Sequence, residues 1–237
     1  MGAWLEGFEV LQGKRIAVTG ALGALGSVVV RTAAAAGASV AAIARTSAAK
    51  APAQPSGVVL FGDTDIGDPS ATDATLRAIA QKLGGLDALV NIAGGFRWGK
   101  VASSAVDIWD EMHKTNLLTA VNATRAALPL MNANGRIIYI GAAGSAKAGA
   151  GMGPYAASKA GVAKLTEALA EEVKDRGITV NAILPSIIDT AANRAAMPKA
   201  DVSTWVQPEQ IADLIVFLLS DRASAITGAL IPITGRT

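Results

Sequence analysis

The chain contains no cysteine and one histidine, His113. Lack of cysteine excludes a disulfide framework and thiolate chemistry, and fits a reducing compartment, for which the cytoplasm is the default. With a single histidine besides, no zinc cluster can be assembled and a Ser-His-Asp triad has no choice of bases. Aromatic residues are scarce, 4% of 237 residues against 51% apolar, so much of the apolarity is alanine. That composition suits tightly packed helices better than a β-sandwich. No charge of one sign clusters: the 21 basic residues are scattered and the net charge is +2, which leaves no footprint for nucleic acid or anionic lipid. Long hydrophobic runs are also missing. The most apolar stretch, Thr32 to Ala44, is too short to span a bilayer. The opening MGAWLEGFEVLQGKR has two glutamates and no apolar core run, unlike a signal peptide, and Glu6 stands where a myristoylation motif needs Ser or Thr. No membrane association is expected. The acidic pairs Asp110-Glu111 and Glu171-Glu172 read as solvated helix positions, so no metal site is expected.

What is present is alternation. From Arg15 onward, short β-branched runs alternate with helix-period segments, and no linker divides the chain, so residues 1–237 read as one domain. RIAVTG is the first strand, a helix follows to about Ala36 before Gly37, and SVAAIA and VVLFGD are the second and third strands. Asp68-Pro69 opens a helix that ends at Gly84-Gly85, and DALVNIAG is the fourth strand. The stretch from Ser103 to Met131 should be helical in two pieces, and GRIIYIGA, TVNAILP and ALIPITG supply strands five to seven. The expected fold is α/β: a single Rossmann-type doubly wound domain with a seven-stranded parallel sheet and helices on both faces. Ligands of such sheets sit beyond the carboxyl ends of the strands.

Thr19 to Gly26, TGALGALG, lies directly between a strand and a helix. Glycines at Gly20, Gly23 and Gly26 let the backbone turn sharply and approach a pyrophosphate, whose charge meets the helix start. Alanine- and glycine-rich sequence also produces such spacings by chance, and the context between strand and helix favours the functional reading. At the end of the second strand, where an acidic residue usually holds a ribose 2′-hydroxyl, stands Ala44. Arg45 and Thr46 follow and could hold a 2′-phosphate, which favours NADP(H), with NAD(H) as the alternative.

Pro154 starts a helix whose apolar residues Val162, Leu165, Leu169 and Val173 recur at helical spacing. Tyr155 and Lys159 therefore share one face. Ionising a tyrosine of pKa about 10 near neutral pH needs around 3 units, or roughly 4 kcal/mol. An ammonium about 4 Å away supplies on the order of 4 kcal/mol at an effective dielectric of about 20. The pair is energetically sensible as an acid/base unit.

Over nearly its whole length the chain resembles the short-chain dehydrogenase/reductase family. The resemblance rests on TGALGALG, on NIAG at Asn91 to Gly94, on Asn116, on YAASK, and on PSIIDT at Pro185 to Thr190. It implies that Tyr155 exchanges the proton with the substrate, that Lys159 holds the nicotinamide ribose and lowers the tyrosine pKa, and that Asn116 anchors a relay water. It implies a cofactor set of Gly20, Gly23, Leu25, Gly26, Arg45, Thr46, Asp65, Ile66, Asn91, Ala93, Gly94, Pro185, Ile188 and Thr190, joined by Tyr155 and Lys159. A homodimer or homotetramer is implied as well.

One departure is informative. Thirteen positions before the tyrosine, where most members carry a catalytic serine, stands Ala142. Losing an oxyanion donor typically costs about 2.7–4 kcal/mol. Ser145 could reach in from one turn later, the substrate could need no such donor, or the protein could be a non-catalytic, nucleotide-sensing relative. The second explanation fits a further resemblance, to the dihydropteridine-reductase-like branch, which also lacks the serine. AGGFRWG, IGAAGSAKAGAGMGPY and IDTAANRAAMPKADVSTW look like its counterparts. The expected function is hydride transfer between nicotinamide and a small cyclic carbonyl or imine-type substrate. An ordinary carbonyl or 3-oxoacyl reductase using Ser145 is the alternative within the enzyme class. Phe96, Arg97 and Trp98, with Met197 and Trp205 from a substrate loop at about 186–207, are expected to wall the substrate pocket, although Trp205 could equally close that loop onto the core.

Overall fold

The computed structural model describes residues 10–237. Seven strands, β1 (Arg15–Thr19), β2 (Ser39–Ile43), β3 (Val58–Phe61), β4 (Leu86–Asn91), β5 (Met131–Ile140), β6 (Thr179–Pro185) and β7 (Leu230–Ile233), form one sheet in the order β3-β2-β1-β4-β5-β6-β7. Every pairing is parallel. The helices are α1 (Ala24–Ala35), α2 (Pro69–Leu83), α3 (Asp107–Met112), α4 (Thr119–Ala127), α5 (Gly153–Glu172), α6 (Ala191–Ala196) and α7 (Pro208–Leu219).

Side-chain alternation divides the core into two layers. Ile16, Val18, Ile138 and Ile183 meet residues of α1 and α7, whereas Ala17, Ile137, Tyr139 and Ala182 meet residues of α2, α4 and α5. The strand order reverses between β1 and β4, whose ends pair at Thr19 and Asn91. That reversal opens the crevice in which doubly wound sheets bind ligands. At the opposite edge, Asp87 on β4 accepts from the Arg15 backbone N–H at 2.9 Å and from its guanidinium at 2.7 and 2.8 Å, fixing the two strands that frame the crevice. Burial pushes the Asp87 carboxyl up, but the hydrogen bonds from Arg15 and Asn132 outweigh it and bring it down to about 2.

Local signals explain the helix ends. The Asp68 side chain accepts from the N–H groups of Ser70 and Ala71, Pro69 opens α2, and Gly84 closes it at φ 76°. One segment departs from expectation. The stretch from Ser103 was expected as two helices ending at Met131, but α3 and α4 are one helix joined through a π-turn at His113–Leu118. An inserted residue in a turn shifts the apolar phase, and from the sequence that shift looks like a break. Met131 opens β5 instead, because its polar start, Asn132 to Asn134, lacks a strand pattern and pairs across an irregular register between Leu86 and Ala88. In the loop after β6, Trp205 is buried and an isolated bridge joins Ile188 to Val206, so Trp205 closes the loop onto the body of the protein.

Candidate active site

A cleft of about 760 Å³ lies over the carboxyl ends of β1, β2 and β4. Its wall brings together Gly20, Gly23, Leu25, Gly26, Arg45, Thr46, Asp65, Ile66, Ala93, Gly94 and Ile188, all expected from the sequence. The floor is built by close backbone approach. A Cβ on Gly20 would sit 2.8 Å from the Ala93 nitrogen, and one on Gly94 would sit 2.7 Å from Asn116 Oδ1. α1 begins at Gly23 with no side-chain cap and no acidic residue in its first turn, which leaves its N–H groups available to an anion. Glycine backbone, free N–H groups and a cavity of this size fit a dinucleotide. Beside the expected site of a ribose carboxylate, Ala44 is buried and Arg45 and Thr46 are exposed on the cleft wall.

At the other end, Lys159 lies under Gly94. Its ammonium donates to the Ile140 carbonyl at 2.7 Å, and burial pushes its pKa down to about 8. Tyr155, one turn earlier, packs against the edge of Phe96, with ring centroids 5.0 Å apart at 77°. One N–H of the Lys159 ammonium goes to Ile140, which leaves two donors, and burial pushes Tyr155 up to about 12.

Other expected residues are placed differently. Asn116, in the π-turn, is buried and its side chain is fully engaged: Oδ1 accepts from Gly95 N–H at 2.8 Å, and Nδ2 donates to the Gly95 carbonyl at 3.1 Å and to Ser158 Oγ at 3.0 Å. It clamps the loop after β4 from both sides of the Gly95 peptide. Ser145 Oγ donates to the Ala142 carbonyl at 2.7 Å, which commits the proton an oxyanion would need. Of the expected cofactor residues, Thr190, Tyr155 and Lys159 lie outside the cleft wall, and so do Asn91 and Pro185. Both are buried at strand ends, and the Asn91 amide turns inward without a hydrogen-bond partner among the described residues. Thr190 Oγ1 accepts from Asn193 N–H and caps α6. Phe96, against Tyr155, is 49% exposed, whereas Trp98, 54% exposed, packs over Gly151 and donates from Nε1 to the Ala150 carbonyl at 3.1 Å.

Several wall residues escaped the sequence reading. Lys114, Thr115, Leu118 and Thr119 reach the cleft because the π-turn rotates them there, and neither propensity nor period signals such a turn. Thr64 and Gly67 flank the two residues that were expected. Asn122 on α4 donates to the Ile66 and Gly67 carbonyls at 3.1 and 3.3 Å and steadies that loop.

A doubly wound sheet with a glycine-floored cleft at its switch point, ending at a buried lysine one turn from a tyrosine, defines a dinucleotide-dependent oxidoreductase site. The chain belongs to the short-chain dehydrogenase/reductase family of NAD(P)-dependent oxidoreductases, and the family profile described as enoyl-(acyl carrier protein) reductase matches residues 20–235. It is 37% identical over 246 residues to the 3-oxoacyl-[acyl-carrier-protein] reductase of Pseudomonas aeruginosa, covering 95% of this chain and 97% of that protein. A short-chain dehydrogenase/reductase structure from Serratia marcescens superposes with a TM-score of 0.88 at 33% identity, covering 95% of this chain and 98% of the other. A short chain dehydrogenase from Burkholderia cenocepacia in complex with NADP gives a TM-score of 0.85 at 32% identity, with the same coverage of both chains. Among the described residues, no helix is long and apolar enough to cross a membrane, and no group of three or more His, Asp or Glu residues could hold a metal ion.

Proposed function

We propose that the protein is an NADP(H)-dependent reductase of a small carbonyl compound, with Tyr155 as the proton donor. The observation that carries this reading is the buried Lys159 ammonium beside Gly94, at the end of the cleft, with Tyr155 one turn earlier on the same helix against Phe96. A reduced nicotinamide bound there supplies hydride to the acceptor carbon. Tyr155, protonated at neutral pH, gives its proton to the acceptor oxygen, and Lys159 offers a cation to the ribose hydroxyls and to the phenolate left behind. Asn116 holds Gly95 still, and Phe96 shields the tyrosine from water. The 3-oxoacyl reductase of Pseudomonas aeruginosa supports a carbonyl acceptor.

A second reading, a conjugated cyclic imine of the dihydropteridine kind, is favoured by one observation. Ala142 presents a methyl group and Ser145 turns its proton to the Ala142 carbonyl, so no serine hydroxyl is ready for an oxyanion. Hydride can reach an electron-poor conjugated acceptor without a full alkoxide forming. A screen of a 3-oxoacyl thioester, a simple cyclic ketone and a quinonoid dihydropterin, each with NADPH and NADH, separates the readings by loss of reduced-nicotinamide absorbance. Turnover of none of them would sink both.

Two variants sharpen the screen. Arg45→Ala is expected to weaken NADPH binding about tenfold and to leave NADH unchanged, because one charge-assisted phosphate contact is worth about 1.5–3 kcal/mol. Equal affinities for both cofactors in both proteins would remove the 2′-phosphate assignment. Ala142→Ser is expected to speed ketone reduction by roughly tenfold or more, since a single oxyanion donor contributes about 10²–10³ where it is well placed. It should leave the pterin rate unaltered, and a ketone rate that does not move would mean that the donor comes from elsewhere.

A further inference from the structure

Asp189, between Ile188 on the cleft wall and Thr190 at the start of α6, is an acid that the proposed reaction does not use. Its side chain is only 8% exposed, yet it is fully partnered. Arg194 grips it with two parallel hydrogen bonds, Nε to Oδ1 at 2.6 Å and Nη2 to Oδ2 at 2.7 Å. Gln207 Nε2 donates to Oδ2 at 3.1 Å. Gln207 is itself fixed as the N-cap of α7, where its backbone N–H donates to Gln210 Oε1 at 2.9 Å. The carboxylate therefore joins α6, which belongs to the substrate loop, to α7, which packs on α1 in the core.

The backbone closes the same knot. Asp189 N–H donates to the Val206 carbonyl at 2.8 Å, and Val206 N–H to the Ile187 carbonyl at 2.9 Å. Asn193 Nδ2 holds the Ile188 carbonyl at 2.8 Å. Exposed ion pairs are usually worth little, but this one is bidentate and its carboxylate is shared with Gln207. The Arg194 side chain is 55% exposed, so it can be truncated without opening a cavity.

We propose that Asp189 is a positioning residue: held by Arg194 and Gln207, it latches the substrate loop to the start of α7 and so fixes its neighbour Ile188 on the wall of the cofactor cleft. The inference rests on the reading that a nicotinamide cofactor fills this cleft. It requires the loop to be tied down before cofactor binds, with the latch acting on cofactor affinity and not on global stability.

The test uses the full chain with NADPH as the probe. Asp189→Ala and Arg194→Ala are each expected to weaken NADPH binding about tenfold, the scale of effects transmitted through residues that touch no ligand, while the melting temperature stays within about 2 °C of wild type. Trypsin cleavage after Lys199 in cofactor-free protein should accelerate by a similar factor. Wild-type affinity and wild-type cleavage in Arg194→Ala would overturn the latch, and so would an affinity loss accompanied by a proportionate fall in melting temperature. Should Asp189→Ala fail to fold, Arg194→Ala decides alone. Should the wild-type protein not bind NADPH at all, the cofactor reading fails, while the cleavage comparison still decides whether the latch exists.

Discussion

Replacing Tyr155 with phenylalanine is expected to lower kcat by about 10²–10⁴ while leaving NADPH affinity within about twofold of wild type. The substitution removes one atom whose loss the fold does not feel. Tyr155 Oη has no hydrogen-bond partner among the described residues, so its deletion strands no buried group, and the ring that packs edge-on against Phe96 is retained. Only the proton is lost. Steady-state rates beside a fluorescence titration with NADPH make the measurement, and a variant that keeps full activity would mean that the proton comes from a group other than Tyr155. The pH dependence follows from the two shifts. With Tyr155 raised to about 12, the acid form persists through neutral pH, so reduction has its donor in place there. The reverse direction needs the phenolate and should speed up about tenfold per pH unit, a slope that disappears in Tyr155→Phe. Lys159, lowered to about 8, loses its charge above that pH and should blunt the same limb.

What the sequence made legible was whatever a local rule governs. Asp68, Pro69 and Gly84 mark α2 because capping, ring constraint and left-handed φ each act within one turn. The glycines after β1 could be read for the same reason, since a turn that approaches a phosphate needs small residues at fixed intervals. The illegible parts depend on placement in three dimensions. Asn116 was found by its motif, but its work, clamping Gly95, depends on a π-turn that no residue spells out. Tyr155 and Lys159 were found as a pair, yet the carbonyl that holds the lysine lies on β5, nineteen positions away, and no local rule points to it. Ser145 could be offered as a substitute donor because sequence distance says nothing about where a hydroxyl proton points, and here it points back at Ala142. The dihydropteridine likeness rests on loop motifs, whereas the named relatives support a carbonyl reductase, and only turnover of real substrates weighs one against the other.

Gly26→Ala is expected to be the most damaging single change in the cofactor turn. An added Cβ would lie deep inside contact distance of the Gly20 carbonyl oxygen and 2.9 Å from both Ala21 Cα and Gly20 C. All three are backbone atoms, so no rotamer change can relieve the clash, and α1 must back away from β1. That movement disturbs the layer in which Val28, Val29 and Val30 of α1 meet Ile211, Ile215 and Leu218 of α7. Overpacking of a rigid core costs about 1–3 kcal/mol or more, which in a chain of this size lowers the melting temperature by up to roughly 10 °C. The binding consequence is larger. The same shift carries the first-turn N–H groups of α1 away from the Gly20 loop, and a misplacement of about 1 Å in a preorganised site is worth around a hundredfold. Two other glycines calibrate the result. A Cβ on Gly23 meets only the Gly20 oxygen, at 3.3 Å, and one on Gly84 meets open space but carries the strain of φ 76°. Gly84→Ala should therefore cost about 1 kcal/mol with NADPH binding intact. Gly23→Ala should keep the fold and lose part of the affinity, because its methyl group intrudes at the cleft wall. Thermal unfolding with and without NADPH reads all three, and a Gly26→Ala protein that melts as wild type and still gains stability from NADPH would mean that α1 does not approach β1 as closely as its glycines require.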